Sequence, residues 1–317
     1  MSAAVRRRGP LVGLLVALCL VLAGCGGEPK ETGSAGQPQG AALRITIGTQ
    51  EFPEARILGE LWRQALAVNG YTVDLRKGVG PAADLDRLLR DGEIDGYVAY
   101  TGTVLSVVAG EDVSGLDPRQ TYDRAREFYA GRDMAMSPMT AFENKDALAV
   151  TTTFAEENGL TSIPDLGELD SFVLGARPEF EDLYLGLKGL EQVYDLDNAR
   201  FRGVPLGKQY AALDSGDADA VDAFTTDPQL RSGDYRLLTD PELLFGSQNA
   251  VLTVGTEKLE TIGRQRFLAV VGGVNRRLTQ DEMVDMNAAV TEGQDEEDVA
   301  AAFLRRNGLD QPVRTED

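Results

Sequence analysis

Histidine is absent from the 317-residue sequence, and cysteine occurs only at Cys19 and Cys25. Without histidine, a Ser-His or Cys-His nucleophile is excluded, and a zinc site would need carboxylate ligands alone, which is rare. The segment GVGPAA at 78–83 contains part of a dinucleotide-binding glycine pattern, but we interpret it as a loop. We therefore expect no enzymatic activity, no cofactor and no metal site.

Positive charge is also scarce. The 31 lysines and arginines are outnumbered by 51 aspartates and glutamates, which gives a net charge of −20 at pH 7. Because Arg6, Arg7 and Arg8 all lie before residue 25, the chain from there onward carries −23. We find no basic patch and expect no nucleic-acid partner. The acidic balance indicates solubility rather than a particular ligand, and we expect a monomer.

The apolar run at residues 11–23 is short for a segment that spans a bilayer. Three arginines precede it and small residues follow it, which is typical of a secretory signal peptide, although an uncleaved anchor is an alternative. The residues LAGC at 22–25 resemble a bacterial lipobox, which implies cleavage before Cys25 and lipidation of its thiol. Residues 1–24 are thus predicted to be a lipoprotein signal peptide, which would leave the chain anchored to the outer face of the cytoplasmic membrane.

Residues 25–41 are rich in glycine, proline and polar side chains and show no apolar period, so they are predicted to form a flexible tether. Loss of Cys19 with the signal peptide would leave no intramolecular disulfide in the mature chain. The fold must then be stabilised by packing. About 275 residues remain, which is enough for one large domain or two of ordinary size.

Apolar residues after the tether follow two periods. Residues 43–47 alternate between apolar and polar, as in a half-buried strand, whereas the apolar residues at 57–66 recur at helical spacing. The alternation continues with a strand at 71–78, a helix around 85–89 and a strand at 94–100. This order predicts an α/β fold in which a mostly parallel sheet is flanked by helices.

The segment DGEIDGYVAYT at 91–101 has a counterpart, SGDADAVDAFT, at 215–225. Corresponding residues lie 124 positions apart, and the matched pairs are Gly92 with Gly216, Asp95 with Asp219, Tyr100 with Phe224 and Thr101 with Thr225. Chance reuse of a common helix, turn and strand is one explanation. The other is a pair of similar lobes, each with an aromatic-threonine corner at the carboxyl end of a strand, where open α/β sheets bind ligands.

Two β-like runs flank the second copy, ALAVT at 147–151 and AVLTV at 250–254. They are the natural places for the chain to cross between lobes. We therefore expect lobe 1 to comprise residues 42–146 and 249–317, and lobe 2 to comprise residues 147–248. Two such lobes facing each other would form a cleft, to which each lobe contributes one aromatic side chain.

Four segments resemble the substrate-binding proteins of osmoprotectant ABC importers: GTQEFPEARILGEL, GEIDGYVAYTGT, YAALDSGDADAVDAFTTD and MNAAVTEGQDEEDVAAAFL. The resemblance covers about residues 43–309, and YTGT at 100–103 is its most specific element. It implies a type II periplasmic-binding-protein fold, in which two α/β lobes joined by two crossings close over a ligand. The family binds glycine betaine, choline, carnitine and related quaternary amines, and delivers them to an ABC permease with its ATPase.

The resemblance also implies which residues bind the ligand. The family holds the cationic head in an aromatic cage, because ring faces attract a poorly hydrated cation. Tyr100 corresponds to the cage tyrosine of lobe 1, and Thr103 corresponds to the hydroxyl beside it. Gln50 falls where the family has lysine or glutamine. Phe224 takes the place of a tyrosine in lobe 2, and it keeps the ring while losing the hydroxyl.

Both crossings depart from the family pattern. Asp146 stands where the family has an aromatic residue, and Gln248 lies near the position of a further tyrosine. One interpretation is that Asp146 lines the cleft, and the alternative is that it is an exposed acid of the hinge. If rings no longer dominate the site, Gln50, Asn144, Asp146 and Gln248 are expected to bind the ligand through hydrogen bonds.

The family's carboxylate-binding arginine is replaced here by Leu183, and Arg177 could substitute for it only if the loop is rearranged. A zwitterion needs a cation for its carboxylate, because a buried carboxylate without a partner is costly. We therefore expect a lipid-anchored solute-binding protein that favours a choline-like amine slightly over glycine betaine. A binding protein for a different small polar solute, or a ligand-sensing surface lipoprotein without a transport role, is the alternative.

Overall fold

The structure, a computed structural model, describes residues 43–205 and 207–313. The predicted signal peptide, the tether and the lipidation site Cys25 lie outside these residues. Among the helices of the described residues, none is both long enough and apolar enough to cross a bilayer.

The described residues form ten strands: β1 Arg44–Gly48, β2 Thr72–Arg76, β3 Gly96–Tyr100, β4 Met134–Met136, β5 Asp146–Thr151, β6 Phe172–Ala176, β7 Ala199–Gly203, β8 Ala220–Phe224, β9 Tyr235–Leu237 and β10 Ala250–Gly255. The α-helices in the same residues are α1 Pro53–Val68, α2 Ala82–Arg90, α3 Thr101–Thr103, α4 Pro118–Ala130, α5 Thr152–Asn158, α6 Leu187–Tyr194, α7 Gln209–Asp214, α8 Thr256–Ile262, α9 Arg264–Asn275, α10 Gln280–Thr291 and α11 Glu296–Arg306. A π-helical segment, Val104–Ala109, continues α3, and 3-10 segments lie at Ile163–Glu168, Pro178–Glu181 and Pro228–Ser232.

The strands form two five-stranded sheets, in the orders β2-β1-β3-β10-β4 and β7-β6-β8-β5-β9. In the first sheet β10 is antiparallel to both of its neighbours, and in the second sheet β5 is. The other four strands of each sheet run in one direction. Each sheet is therefore mostly parallel with a single reversed strand, and the predicted two-lobe α/β fold is confirmed. We keep the names lobe 1 for the first sheet with its helices and lobe 2 for the second.

The reversed strand is in each case the one that follows a crossing. The chain leaves lobe 1 after β4, enters lobe 2 through β5, and returns to lobe 1 through β10. The two crossings lie side by side, because Glu143 and Asn249 form an antiparallel bridge and Asn144 N donates to Gln248 O at 3.0 Å. The lobe boundaries that the sequence suggested remain a prediction.

The repeated segments at 91–101 and 215–225 each contain an aspartate that makes the same hydrogen bond in its lobe. Asp95 immediately precedes β3, and its carboxylate accepts a hydrogen bond from the backbone N–H of Thr46 at 2.7 Å. Asp219 immediately precedes β8, and its carboxylate accepts the same bond from Val173 at 2.8 Å. Each aspartate thus fixes its strand beside the adjacent parallel strand, which brings the two aromatic corners to corresponding positions.

The residues after the two corners are tied to the crossings. Thr101 N donates to Asn249 O at 3.0 Å, and Thr225 N donates to Lys145 O at 3.0 Å. Gly102 follows in lobe 1, and a Cβ atom there would lie 2.5 Å from Ser247 O. The glycine of YTGT is therefore required by the close approach of the second crossing.

Each lobe has its own hydrophobic core. In lobe 1, β1, β3 and β10 pack against α1, α9, α10 and α11 around the fully buried Trp62, whose Nε1 donates to Asn275 Oδ1 at 2.8 Å. In lobe 2, the core includes the buried rings of Phe172 and Phe180. Because each core lies within one lobe, a hinge motion about the crossings would leave both cores intact.

Candidate ligand-binding site

A cavity of about 360 Å³ lies where the lobes meet. Its lining residues are Phe52, Pro53, Glu54, Asn144, Phe224, Thr226, Asp227, Pro228, Asn287 and Thr291. These residues come from the start of α1, the first crossing, the end of β8 with the residues after it, and α10. The volume falls within the range that is typical of small-molecule sites.

Glu54 is the principal polar group of this cavity. It is the second residue of α1 and is 3% exposed. Its Oε1 accepts hydrogen bonds from Tyr100 Oη at 2.8 Å and from Asn144 Nδ2 at 3.0 Å, and its Oε2 accepts one from Asn287 Nδ2 at 3.0 Å. The Thr226 hydroxyl is a further partner. The donors converge from both lobes and from the crossing.

The charge of Glu54 has no cationic partner among residues 43–205 and 207–313. Burial raises the pKa of its carboxyl group, while the four hydrogen bonds act in the opposite direction. The amino-terminal position in a helix of 16 residues also favours negative charge. A cation that enters the cavity would supply the missing counter-charge, so the site is suited to a positively charged ligand.

Sequence reasoning missed Glu54, although its spacing carried a signal. Glu54, Leu58, Leu61 and Ala65 are separated by four, three and four residues, which places them on one face of α1. All four are buried. An acid on the apolar face of an amphipathic helix is uncommon unless it has a partner, and this was the available clue.

Asp227 is a second carboxylate of the cavity, and it comes from lobe 2. Its Oδ2 accepts hydrogen bonds from Tyr210 Oη and from Phe224 N, both at 2.9 Å. Burial raises the pKa of this carboxyl group. Among residues 43–205 and 207–313, the cavity is thus lined by one acid from each lobe and by no lysine or arginine.

Tyr100 and Phe224, the two predicted cage residues, occupy different positions. The Phe224 ring lines the cavity, whereas Tyr100 is 4% exposed and lies behind Glu54, to which its hydroxyl donates. The Phe52 ring packs against Tyr100 with 5.8 Å between centroids, and it lines the cavity itself. Phe52 was not predicted, so the aromatic wall is formed by a different pair of rings.

Asp146 does not line this cavity, because it lies in an ion pair within lobe 2. Arg177 Nη1 contacts Asp146 Oδ1 at 2.9 Å and Asp222 Oδ2 at 2.6 Å. The Arg177 guanidinium also lies 5.8 Å from the centroid of the Phe224 ring. Asp146 is therefore paired with Arg177, and it shares this guanidinium with Asp222.

The remaining predicted residues also lie outside the cavity lining. Thr103 N and Thr103 Oγ1 contact Gln248 Oε1 at 2.9 and 3.3 Å, so these two side chains join the corner to the second crossing. Gln50 is half-buried, and its carbonyl oxygen accepts a hydrogen bond from the Thr49 hydroxyl. Of the seven predicted ligand contacts, Asn144 and Phe224 line the cavity.

The lobes contact each other directly beside the cavity. From α10 of lobe 1, Asn287 Nδ2 donates to Thr226 O at 3.0 Å and Gln280 Nε2 donates to Thr225 O at 2.7 Å. Both acceptors follow β8 of lobe 2. Because the same Asn287 also donates to Glu54, the cavity wall is complete only when the lobes are together.

The Arg177 cluster predicts how stability depends on pH. Burial raises the pKa of Asp222 from 3.8 to about 7, although Arg177 acts in the opposite direction. The folded protein therefore binds this proton more tightly than the unfolded chain, so the contribution of Asp222 to the free energy of unfolding should be greatest below about pH 4 and should be lost as pH rises through about 7.

In the Asp222→Asn variant, the decrease in the free energy of unfolding with rising pH should be smaller. The reduction should be about 1.4 kcal/mol for each unit by which the pKa of Asp222 in the folded state exceeds its pKa in the unfolded state. Urea unfolding of both proteins at pH values of about 4.5 and about 7.5 tests the expectation. A fall of equal size in both proteins would contradict it.

The fold and the cleft define a two-lobe protein with a cavity for a small molecule between its lobes. The sequence profile of the OpuAC family, the substrate-binding domain of the ABC-type glycine betaine transport system, matches residues 44–306. The chain therefore belongs to this family, whose members are solute-binding proteins and not enzymes. The family resemblance seen in the sequence is confirmed.

Two curated relatives are similar over most of this chain. The ergothioneine transport permease/ergothioneine binding protein EgtU of Helicobacter pylori is 24% identical over 272 residues, which are 84% of this chain and 48% of that protein. The carnitine transport binding protein OpuCC of Listeria monocytogenes is 22% identical over 295 residues, which are 90% of each chain. This chain thus spans about half the length of the first relative and most of the second.

Solved structures show the same fold. A crystal structure described as a glycine betaine/carnitine/choline ABC transporter aligns with a TM-score of 0.78 and 21% identity over 84% of this chain and all of the other. Apo YehZ from Escherichia coli aligns with a TM-score of 0.73 and 22% identity over 84% of this chain and 99% of the other. The predicted type II periplasmic-binding-protein fold is confirmed.

Proposed function

We propose that this protein is the solute-binding component of an ABC importer and captures a small quaternary amine or a related osmoprotectant. The observation that carries the proposal is the cavity between the lobes, where the buried acid Glu54 lies beside the rings of Phe52 and Phe224. A methylated cation loses little hydration on entering such a site. It gains attraction from the ring faces and from the carboxylate.

Within this class, we infer that a choline-like amine is preferred to glycine betaine. In the part of the chain that the structure describes, Glu54 and Asp227 line the cavity and no lysine or arginine does, and Arg177 is paired with Asp146 and Asp222. A ligand carboxylate would therefore be buried without a cation, which is costly. Choline has no such group.

The similarities support this ligand class and an ABC permease as partner. The relatives and neighbours are named for carnitine, ergothioneine, glycine betaine and choline. The first relative is named as a permease and binding protein together. We infer that this chain acts outside the cytoplasm as a monomer and delivers its ligand to a permease with its ATPase. In this proposal, the lobes close over the ligand, and the closed, ligand-bound protein is the form that docks on the permease.

Lipid anchoring is the part of the proposal that rests on the sequence before residue 42. If Cys25 is lipidated, the protein should fractionate with membranes, and Cys25→Ala should move most of it to the soluble fraction. Cys19→Ala is the matched control, because it removes the other cysteine and leaves the lipobox intact. Equal membrane association of wild type and Cys25→Ala would contradict lipidation at this residue.

A thermal-shift screen tests the ligand class. Choline, carnitine, glycine betaine and a neutral polyol are each added to the purified protein, and a ligand at a hundred times its Kd should stabilise the folded state by about 2.7 kcal/mol. We expect the quaternary amines to raise the Tm, with choline above glycine betaine, and the polyol to leave it unchanged. A response to the polyol alone would overturn the proposal.

A further inference from the structure

Asp227 is held in the cavity wall by bonds that use only one of its oxygens. Oδ2 accepts from Tyr210 Oη and from Phe224 N, both at 2.9 Å. Within residues 43–205 and 207–313, Oδ1 accepts no hydrogen bond. Asp227 directly precedes the 3-10 segment Pro228–Ser232.

The surroundings of Asp227 leave its charge uncompensated. Arg177, which lies near Phe224, is bound to two other carboxylates. Arg231 follows Asp227 by four residues, and it contacts Asp285 at 3.4 Å and Glu292 at 3.3 Å. Among the described residues, no ion pair is formed by Asp227. The acid is therefore available to a group of the ligand.

The two acids of the cavity belong to opposite lobes, Glu54 to lobe 1 and Asp227 to lobe 2. A ligand held by its cationic head beside Glu54 would present its other end to lobe 2. A hydroxyl there can donate to the free oxygen of Asp227, whereas a carboxylate would meet a like charge. The same residue thus attracts one kind of ligand and repels the other.

We propose that Asp227 determines specificity by contacting the end of the ligand that is remote from its cationic head, accepting a hydroxyl and rejecting a carboxylate. The proposal rests on the proposed function. It places a ligand-contacting acid of the cleft at Asp227, whereas the sequence suggested Asp146, which pairs with Arg177. The favoured substrate class is a methylated ammonium alcohol.

Three ligands of similar size separate the contributions of a hydroxyl and of a carboxylate to binding by the full-length protein. They are choline, ethyltrimethylammonium and glycine betaine. Ethyltrimethylammonium has the same head as choline and lacks only the hydroxyl. Isothermal calorimetry with the wild-type protein should give choline the tightest binding, by about tenfold over ethyltrimethylammonium, because a hydrogen bond to a buried charge is lost. Equal affinities for these two ligands would overturn the proposal without any mutation.

Asp227→Asn keeps an acceptor for Tyr210 and Phe224 and removes the negative charge. The ratio of the glycine betaine affinity to the choline affinity should rise at least about tenfold in this variant. Tyr210→Phe is the matched control, because it removes a hydrogen bond to Asp227 and leaves the charge, so the ratio should stay as in wild type. A ratio that is unchanged in Asp227→Asn, with all three ligands still bound, would overturn this proposal alone. Failure of all three ligands to bind the wild-type protein would overturn the proposed function with it.

Discussion

Glu54→Gln should weaken the binding of choline by about a hundredfold. Two unit charges about 5 Å apart attract each other by about 3 kcal/mol at an effective dielectric constant of about 20, and about 1.4 kcal/mol corresponds to a factor of ten in Kd. Glutamine keeps nearly the same shape and one acceptor oxygen. The amides of Asn144 and Asn287 can rotate to match it. The loss measured by calorimetry should therefore be mainly the loss of charge.

Glu60→Gln is the control for this prediction. Glu60 lies on the same helix and is also 3% exposed, but its carboxylate pairs with Lys77 at 2.8 Å and Arg63 at 2.7 Å. It does not line the cavity. Its substitution should lower the stability of the fold and leave the Kd for choline close to the wild-type value. If Glu54→Gln bound choline as tightly as wild type does, Glu54 would have no role as the counter-charge.

Phe224→Leu should weaken choline binding by about tenfold to thirtyfold. Leucine keeps an apolar wall at the end of β8 but has no ring face, so the variant isolates the attraction between ring and cation, worth about 2 kcal/mol in a dry site. Phe224→Tyr introduces the tyrosine that the sequence resemblance implies for this position and should bind choline at least as well as wild type. Calorimetry on the three proteins measures the difference, and identical affinities in wild type and Phe224→Leu would remove Phe224 from the site.

The fold was predictable because its determinants are local or repeated. The strand and helix periods near the start of lobe 1 arise from burial of one face, and the structure places β1, α1, β2, α2 and β3 where those periods indicated. The 124-residue offset between Asp95 and Asp219 was detectable because both carboxylates perform the same task, a hydrogen bond to the neighbouring strand. Local interactions of this kind can therefore be recognised as patterns in the sequence.

The cavity was less predictable because its polar groups are brought together by tertiary structure. The Glu54 carboxylate accepts hydrogen bonds from Asn144 and Asn287, which lie 90 and 233 residues further along the chain. The ion pair of Asp146 with Arg177, across 31 residues, likewise depends on how β5 and β6 lie in one sheet. Neither partnership has a spacing that sequence periodicity could reveal, so Glu54 could not be identified as a residue of the cavity from sequence periodicity alone.

We infer that positive charge, rather than shape, secures the ligand in this cleft. The measurement that tests it most directly compares the affinity for choline with that for 3,3-dimethylbutan-1-ol, a neutral alcohol of nearly the same shape in which carbon replaces nitrogen. Because both molecules carry the hydroxyl, the comparison isolates the charge. We expect choline to bind at least about a hundredfold more tightly in calorimetry. Equal affinities for the two molecules would show that shape, rather than charge, secures the ligand.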